Sequence, residues 1–157
     1  MVKTSEIISG VHNKEYIVSL QEILTWYPAD YTHMCGICDL DSLYHTCTSI
    51  ELQWQYVLNN IVYPDEVHYD RVYQSVLKRG YVAQLRAKVT DNDHVVLLDG
   101  HNRVGVGLDL SLEQVPVYIG DKSTTADDLV AADSGWWKSH QKPWNIVPEK
   151  NGKLRRL

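Results

Sequence analysis

The sequence is short of long apolar runs and of cysteine, and each shortage excludes a class of protein. No hydrophobic stretch approaches the roughly 20 residues that a membrane-spanning helix needs. Residues 1–6 lack the apolar core of a secretory signal, so we expect a cytoplasmic protein with no membrane partner. Three cysteines, an odd number, do not make a disulfide framework, and we expect them to be reduced.

The composition is that of an ordinary globular domain, but the charge is unevenly spread. The 157 residues are enough for one domain with its own core, and the net charge is −5. Residues 138–157 contain one acid and six basic residues: Lys138, Lys142, Lys150, Lys153, Arg155 and Arg156. This tail is either solvated, folded back on the acidic body or in contact with DNA. The acidic body argues against binding duplexes without regard to sequence.

Hydrophobic periodicity and turn signals predict a chain that mixes helices and strands. Ser19 is expected to cap a helix that starts at Leu20, with Glu22 completing a capping box. Gly80 is a natural end for the helix that precedes it. The predicted elements are strands at 15–20, 84–89, 94–98 and 115–119 and helices at 49–60, 65–79 and 101–110. This order predicts the α/β (α+β) class.

Residues 94–103 concentrate more potential chemistry than any other segment. A buried strand breaks at Asp99-Gly100 and leads into a helix whose first turn carries His101, Asn102 and Arg103. The start of a helix leaves backbone N–H groups unpaired and adds partial positive charge, which favours a bound phosphate. Arg103 would grip that phosphate with its planar fork of donors. The simpler alternative is a capped helix start exposed to solvent.

Several residues of this segment have two interpretations. His101 would act as a general acid or base, bind a metal ion, or donate a hydrogen bond to phosphate. Asp99 would hold a divalent cation or orient Arg103, or it would only stabilise the turn and cap the helix. Gly105 and Gly107 cost helix stability, so we expect this helix face to pack closely on the sheet or on a ligand.

Residues 27–48 are rich in turn-forming residues and contain all three cysteines. Cys35, Cys38, His45 and Cys47 supply the four soft ligands of a structural zinc site. The last two ligands are separated by only one residue, which is closer than zinc knuckles usually allow. Reduced, partly buried cysteines and a redox-active Cys-x-x-Cys pair are the alternatives.

Three segments in a fixed order resemble the ParB/sulfiredoxin superfamily, whose members include the ParB-like nuclease domains. They are Ser-Val-Leu-Lys-Arg-Gly at 75–80, Leu-Leu-Asp-Gly-His-Asn-Arg at 97–103 and Val-Pro-Val-Tyr-Ile at 115–119. Residues 16–23 are similar to the family's opening strand and helix, more loosely. The resemblance implies a compact fold with a small mixed sheet and flanking helices over residues 1–120. Segment 31–65 would then be an insertion, and 121–157 a C-terminal extension.

The resemblance also implies a nucleotide, ATP or CTP with Mg²⁺, held at the start of the last helix. Gly100 would let the backbone approach the phosphates, His101 and Asn102 would present N–H groups, and Arg103 would pair with phosphate oxygens. Lys78 and Arg79 would add phosphate contacts, unless they only complement the helix C-terminus. The candidate catalytic groups are His101, Asp99 and, from the opening strand and helix, Glu22.

Two departures from the family narrow the expected activity. Sulfiredoxins carry a nucleophilic cysteine where this chain has His101, so sulfinic acid reduction is not expected. Segregation clamps carry two arginines and a following DNA-reading domain, and this chain has one arginine and too few residues after Ile119. We therefore predict a phage or mobile-element nuclease or nucleoside triphosphatase that acts on nucleic acid. The alternative is a non-catalytic phage effector that binds a host protein.

Overall fold

The computed structural model describes residues 2–34, 45–46, 48–81, 84–120, 146–148 and 154–156. In chain order, the elements are α1 (Thr4–Ser9), β1 (Lys14–Ser19), α2 (Leu20–Ile23), β2 (Tyr27–Pro28), a 3-10 helix (Ala29–Met34), α3 (Ile50–Val57), a π-helical turn (Leu58–Val62), α4 (Glu66–Arg79), β3 (Leu85–Val89), β4 (Val95–Asp99), α5 (His101–Asp109), β5 (Gln114–Gly120), β6 (Ile146–Pro148) and β7 (Leu154–Arg156).

Five of the strands form one mixed sheet in the order β1-β5-β3-β4-β2. The pairs β1/β5 and β3/β4 are antiparallel, whereas β3/β5 and β2/β4 are parallel. Parallel neighbours need a crossover connection, and β4 with α5 supplies it between β3 and β5. The α+β class predicted from the sequence is therefore confirmed. Strands β6 and β7 pair separately with each other, and β6 lies against α4.

The main core lies between one face of this sheet and the helices. Alternate residues of β3 and β4 point into it, as the period of two along a strand requires. The fully buried core side chains from the sheet are Val18, Leu85, Ala87, Val89, Leu97, Val115, Val117 and Ile119. Trp26, Trp54, Val76 and Val104 enter the same cluster from the helices and the loop before β2.

The helix boundaries follow the local signals that predicted them. The Ser19 hydroxyl accepts a hydrogen bond from the Glu22 backbone N–H at 3.1 Å, which caps α2. Helix α4 begins after Asp65, whose side chain accepts from the His68 N–H, and ends at Gly80, which has φ +70°. A tight turn at residues 90–93 joins β3 to β4.

Five short elements were not predicted, including β6 and β7 with three residues each, and one predicted helix ends differently. α1 and the 3-10 helix are six residues each and β2 is two, too short to carry a clear periodic signal. The helix predicted to end at Asn59-Asn60 instead continues as a π-helical turn to Val62. A Cβ on Gly105 would lie 2.8 Å from Val62 Cγ1, so this turn packs directly on α5. The close packing expected at Gly105 is present, but it is against this helical turn rather than against the sheet or a ligand.

In the described part of the chain, no helix combines the length and apolarity needed to cross a bilayer. The predicted zinc-ligand cysteines, Cys35, Cys38 and Cys47, lie outside the described residues, as do residues 121–145. The basic tail is described only as the backbone of β6 and β7.

Candidate functional site

The start of α5 is a sharp turn that only glycine makes without strain. Gly100 has φ +108°, in the left-handed region, and a Cβ there would lie 2.6 Å from Leu85 Cγ. Gly100 occupies the N-cap position, and within the described residues no side chain caps the helix.

A cavity of about 700 Å³ opens at this turn, between the ends of β3 and β4, the start of α5 and one face of α4. Its volume lies in the range of roughly 300–1,000 Å³ that small-molecule sites occupy. Its polar lining residues are Asp30, His68, Arg71, Ser75, Arg79, Arg86, Asp99, His101, Asn102 and Arg103. Val72, Val76, Tyr81 and Leu98 form the apolar part, and Gly80 and Gly100 complete the lining.

One wall of the cavity, here called the sheet wall, consists of Arg86, Asp99 and Arg103. Asp99 Oδ2 accepts hydrogen bonds from Arg86 Nη2 at 2.5 Å and from Arg103 Nη2 at 3.2 Å. Arg103 Nη1 also donates to the Gln84 carbonyl oxygen at 3.2 Å. The Arg86 side chain is 2% exposed and that of Arg103 18%. Asp99 therefore orients both guanidiniums, which corresponds to one of the alternatives that its sequence position left open.

The opposite wall, here called the helix wall, is one face of α4. His68, Arg71, Ser75 and Arg79 follow one another at spacings of three or four residues, which places them on the same side of the helix. Arg79 Nη2 donates to Ser75 Oγ at 3.2 Å. Within the described residues, neither Arg71 nor Arg79 pairs with a carboxylate. Their positive charges are therefore not neutralised locally.

The cavity is positively charged although the chain as a whole is acidic. Of the described residues, four arginines and two aspartates line it, in a protein whose net charge is −5. The partial positive charge at the start of α5 has the same sign. Arginines from two facing walls and a helix start together favour an anion, and guanidinium forks match the geometry of phosphate and carboxylate oxygens.

The imidazole of His101 is turned into the protein. Only 3% of its side chain is exposed, and its ring lies 5.7 Å from that of Trp54. Its Nδ1 is 3.2 Å from Asp30 Oδ2. Burial lowers the pKa of His101, although the nearby carboxylates of Asp30 and Asp99 oppose that shift. The neutral ring positions Asp30, and its burial argues against direct proton transfer to a ligand.

Some of the other residues predicted from the sequence line the cavity, and the others lie outside it. Gly100, Asn102 and Arg79 line the cavity together with Asp99 and Arg103, as the phosphate-site prediction requires. The buried Oδ1 atom of Asn102 has no hydrogen-bond partner in the described ranges.

Lys78 and Glu22 lie away from the cavity. Lys78 is on the exposed side of α4 and does not line the cavity. Glu22 Oε2 accepts hydrogen bonds from the backbone N–H of Thr4 at 3.2 Å and from its hydroxyl at 2.5 Å. This carboxylate therefore stabilises the start of α1 rather than facing a ligand in the cavity.

The predicted zinc set can be followed only at His45. Its side chain is buried, and neither ring nitrogen has a hydrogen-bond partner among the residues that the structure describes. A buried polar atom without a partner costs about 1–3 kcal/mol, so the surroundings of His45 are compatible with a ligand at one of these nitrogens. Within the described ranges, no three His, Cys, Asp or Glu side chains converge to hold a metal ion. The zinc site stays a prediction.

Sequence reasoning missed half of the charged cavity. Arg86 carried a signal, because it is a charged residue inside an otherwise apolar strand. Arg71 and Ser75 share a helical face with Arg79, which was predicted to contact phosphate, and that spacing was visible too. No local signal could place Asp30, because it reaches the cavity from the short 3-10 helix.

Neither protein-family models nor curated protein sequences match this chain. The fold and the site define an α+β protein with an arginine-lined cavity at a helix start.

Proposed function

We propose that the cavity binds the phosphate of a nucleotide, and that the chain is a ParB-like protein that acts on nucleic acid. One observation carries this proposal: four arginines from α4, β3 and α5 surround the uncapped start of α5. Phosphate suits such a site because its oxygens accept bidentate hydrogen bonds from guanidinium and from helix N–H groups.

The rest of the cavity suits the nucleoside part of such a ligand. Val72, Val76 and Leu98 supply an apolar surface beside the charged walls. Small-molecule sites typically combine a largely apolar lining with a few polar groups that fix orientation. The volume of about 700 Å³ accommodates a mononucleotide.

The order of elements supports the proposed family. Helix α4 ends at Gly80, β3 and β4 follow, Gly100 starts α5, and β5 returns beside β3. This is the order that the three resembling segments implied.

A hydrolytic reaction would need a base, and Asp30 is the carboxylate best placed to serve. Its side chain is 41% exposed, and it lies beside the buried ring of His101. Asp99, in contrast, is engaged by two arginines. We propose that any nuclease or nucleoside triphosphatase activity depends on Asp30, so Asp30→Asn should abolish turnover while nucleotide binding persists.

The binding proposal is tested by calorimetric titration with AMP, ADP, ATP and CTP and by thermal-shift measurements. A bound ligand raises the apparent melting temperature by mass action. Arg79→Gln should weaken nucleotide binding by roughly ten- to a hundredfold, the effect of one lost charge-assisted hydrogen bond. Lys78→Gln is the matched control, because it removes the same charge one residue away but does not line the cavity.

Equal losses in the Arg79 and Lys78 variants would show that only net charge matters and would contradict the site. Absence of binding by every nucleotide, with and without Mg²⁺, would contradict the proposed function. Far-UV circular dichroism of each variant confirms that the fold is retained.

A further inference from the structure

Both carboxylates that line the cavity already have partners. Asp99 Oδ2 lies between the guanidiniums of Arg86 and Arg103. Asp30 Oδ2 faces Nδ1 of His101. Metal sites that hold Mg²⁺ on a nucleotide commonly use one or two carboxylates with open oxygens beside the phosphates. In this cavity Asp99, the less exposed of the two carboxylates, instead positions the guanidiniums of Arg86 and Arg103.

The remaining charge disfavours a divalent cation further. Among the described lining residues, four arginines against two aspartates leave an excess of two positive charges, counting His68 and His101 as neutral. A dication entering this space would be repelled by the guanidiniums of both walls. The arginine side chains already supply the positive charge that a metal ion would bring to a phosphate.

We infer that the cavity binds the free dianion of a nucleoside monophosphate, without a divalent cation. This inference rests on the proposed function and names its ligand class. A phosphate monoester carries about −1.5 to −2 charge at neutral pH, which matches the excess positive charge of the lining. Arg71 and Arg79 on the helix wall would neutralise it, while Arg86 and Arg103 are held in place by Asp99.

The test is calorimetric titration of the full chain with AMP, in a buffer with EDTA and in a buffer with excess Mg²⁺. AMP should bind with dissociation constants that agree within about threefold in the two buffers. ATP should bind more tightly in EDTA than with Mg²⁺, because Mg²⁺ cancels part of the charge that the arginines attract. Loss of AMP or ATP binding by roughly tenfold or more on chelation would overturn the inference.

Asp99→Asn gives a second, independent readout. If Asp99 positions arginines, the variant should weaken AMP binding by the same factor in both buffers. If Asp99 were a metal ligand, the variant would lose affinity only in the presence of Mg²⁺, and the inference would be wrong. Binding that requires Mg²⁺ contradicts this inference alone, whereas no nucleotide binding in either buffer contradicts the proposed function itself.

Discussion

The two walls of the cavity use the same residue type in opposite ways. On the sheet wall, Arg86 and Arg103 are largely buried and share the carboxylate of Asp99. On the helix wall, Arg71 and Arg79 are exposed, and among the described residues no carboxylate neutralises them. Buried, paired charges are costly to disrupt, whereas exposed ones contribute little to stability. The sheet wall should therefore govern folding, and the helix wall should govern affinity.

The largest expected effect is on the sheet wall. Arg86→Ala should lower the free energy of unfolding by about 3 kcal/mol, because it removes a buried aliphatic stem and one partner of Asp99. Arg79→Ala, on the helix wall, should change it by less than about 0.5 kcal/mol. Urea unfolding followed by circular dichroism measures both. Similar losses in the two variants would remove the distinction between the walls.

Substitutions on the helix wall should weaken ligand binding and leave stability nearly unchanged. The double variant Arg71→Gln with Arg79→Gln should weaken AMP binding by about a hundredfold or more, since two charge-assisted contacts are lost. Its urea midpoint should stay close to that of the unmodified protein. Calorimetry and urea unfolding on the same preparation measure the affinity and the stability. A double variant that binds AMP normally would contradict the proposal that this wall contacts the ligand.

Gly100 joins the sheet wall to α5, and its backbone conformation is the next test. Gly100→Ala should destabilise the protein by about 2 kcal/mol, because alanine is strained at φ +108° and its Cβ would meet Leu85. Thermal unfolding measures the change. An alanine variant with unaltered stability would show that the turn at the start of α5 relaxes easily.

The smallest expected effect is a pH dependence from His101. Burial lowers its pKa below the ordinary value of 6.5, so below that pH the unfolded chain binds more protons than the folded one. Stability should therefore fall as the pH is lowered through 6.5 and level off below the folded-state pKa. Urea unfolding between neutral and mildly acidic pH measures the slope. His101→Gln should flatten it.

Much of the fold was predictable because its signals are local. The Ser19 cap, the Gly80 end of α4 and the turn between β3 and β4 each depend on residues close together in the chain. The short elements α1 and β2 were missed, because a few residues cannot establish a period. The π-helical turn was missed because it depends on packing against Gly105, which is distant in sequence.

The site was only half predictable, because part of it depends on contacts between residues that are distant in sequence. The turn at Gly100 and the position of Arg103 are encoded within a few residues, and both line the cavity. The ring of His101 could not be placed, because its burial depends on Trp54 and Asp30 from other elements. Glu22 looked equally suitable as a base, but the contact with Thr4 that occupies it joins two separate helices.

The sequence by itself determined where the longer helices and strands run and where a helix start follows an Asp-Gly turn, because capping, turn geometry and periodicity act over a few residues. Only the tertiary structure decided that Arg86 and the polar face of α4 meet at that helix start. It also decided that Asp99 orients arginines. Such contacts depend on strand order and helix packing, and those are set by burying one shared core rather than by any single segment.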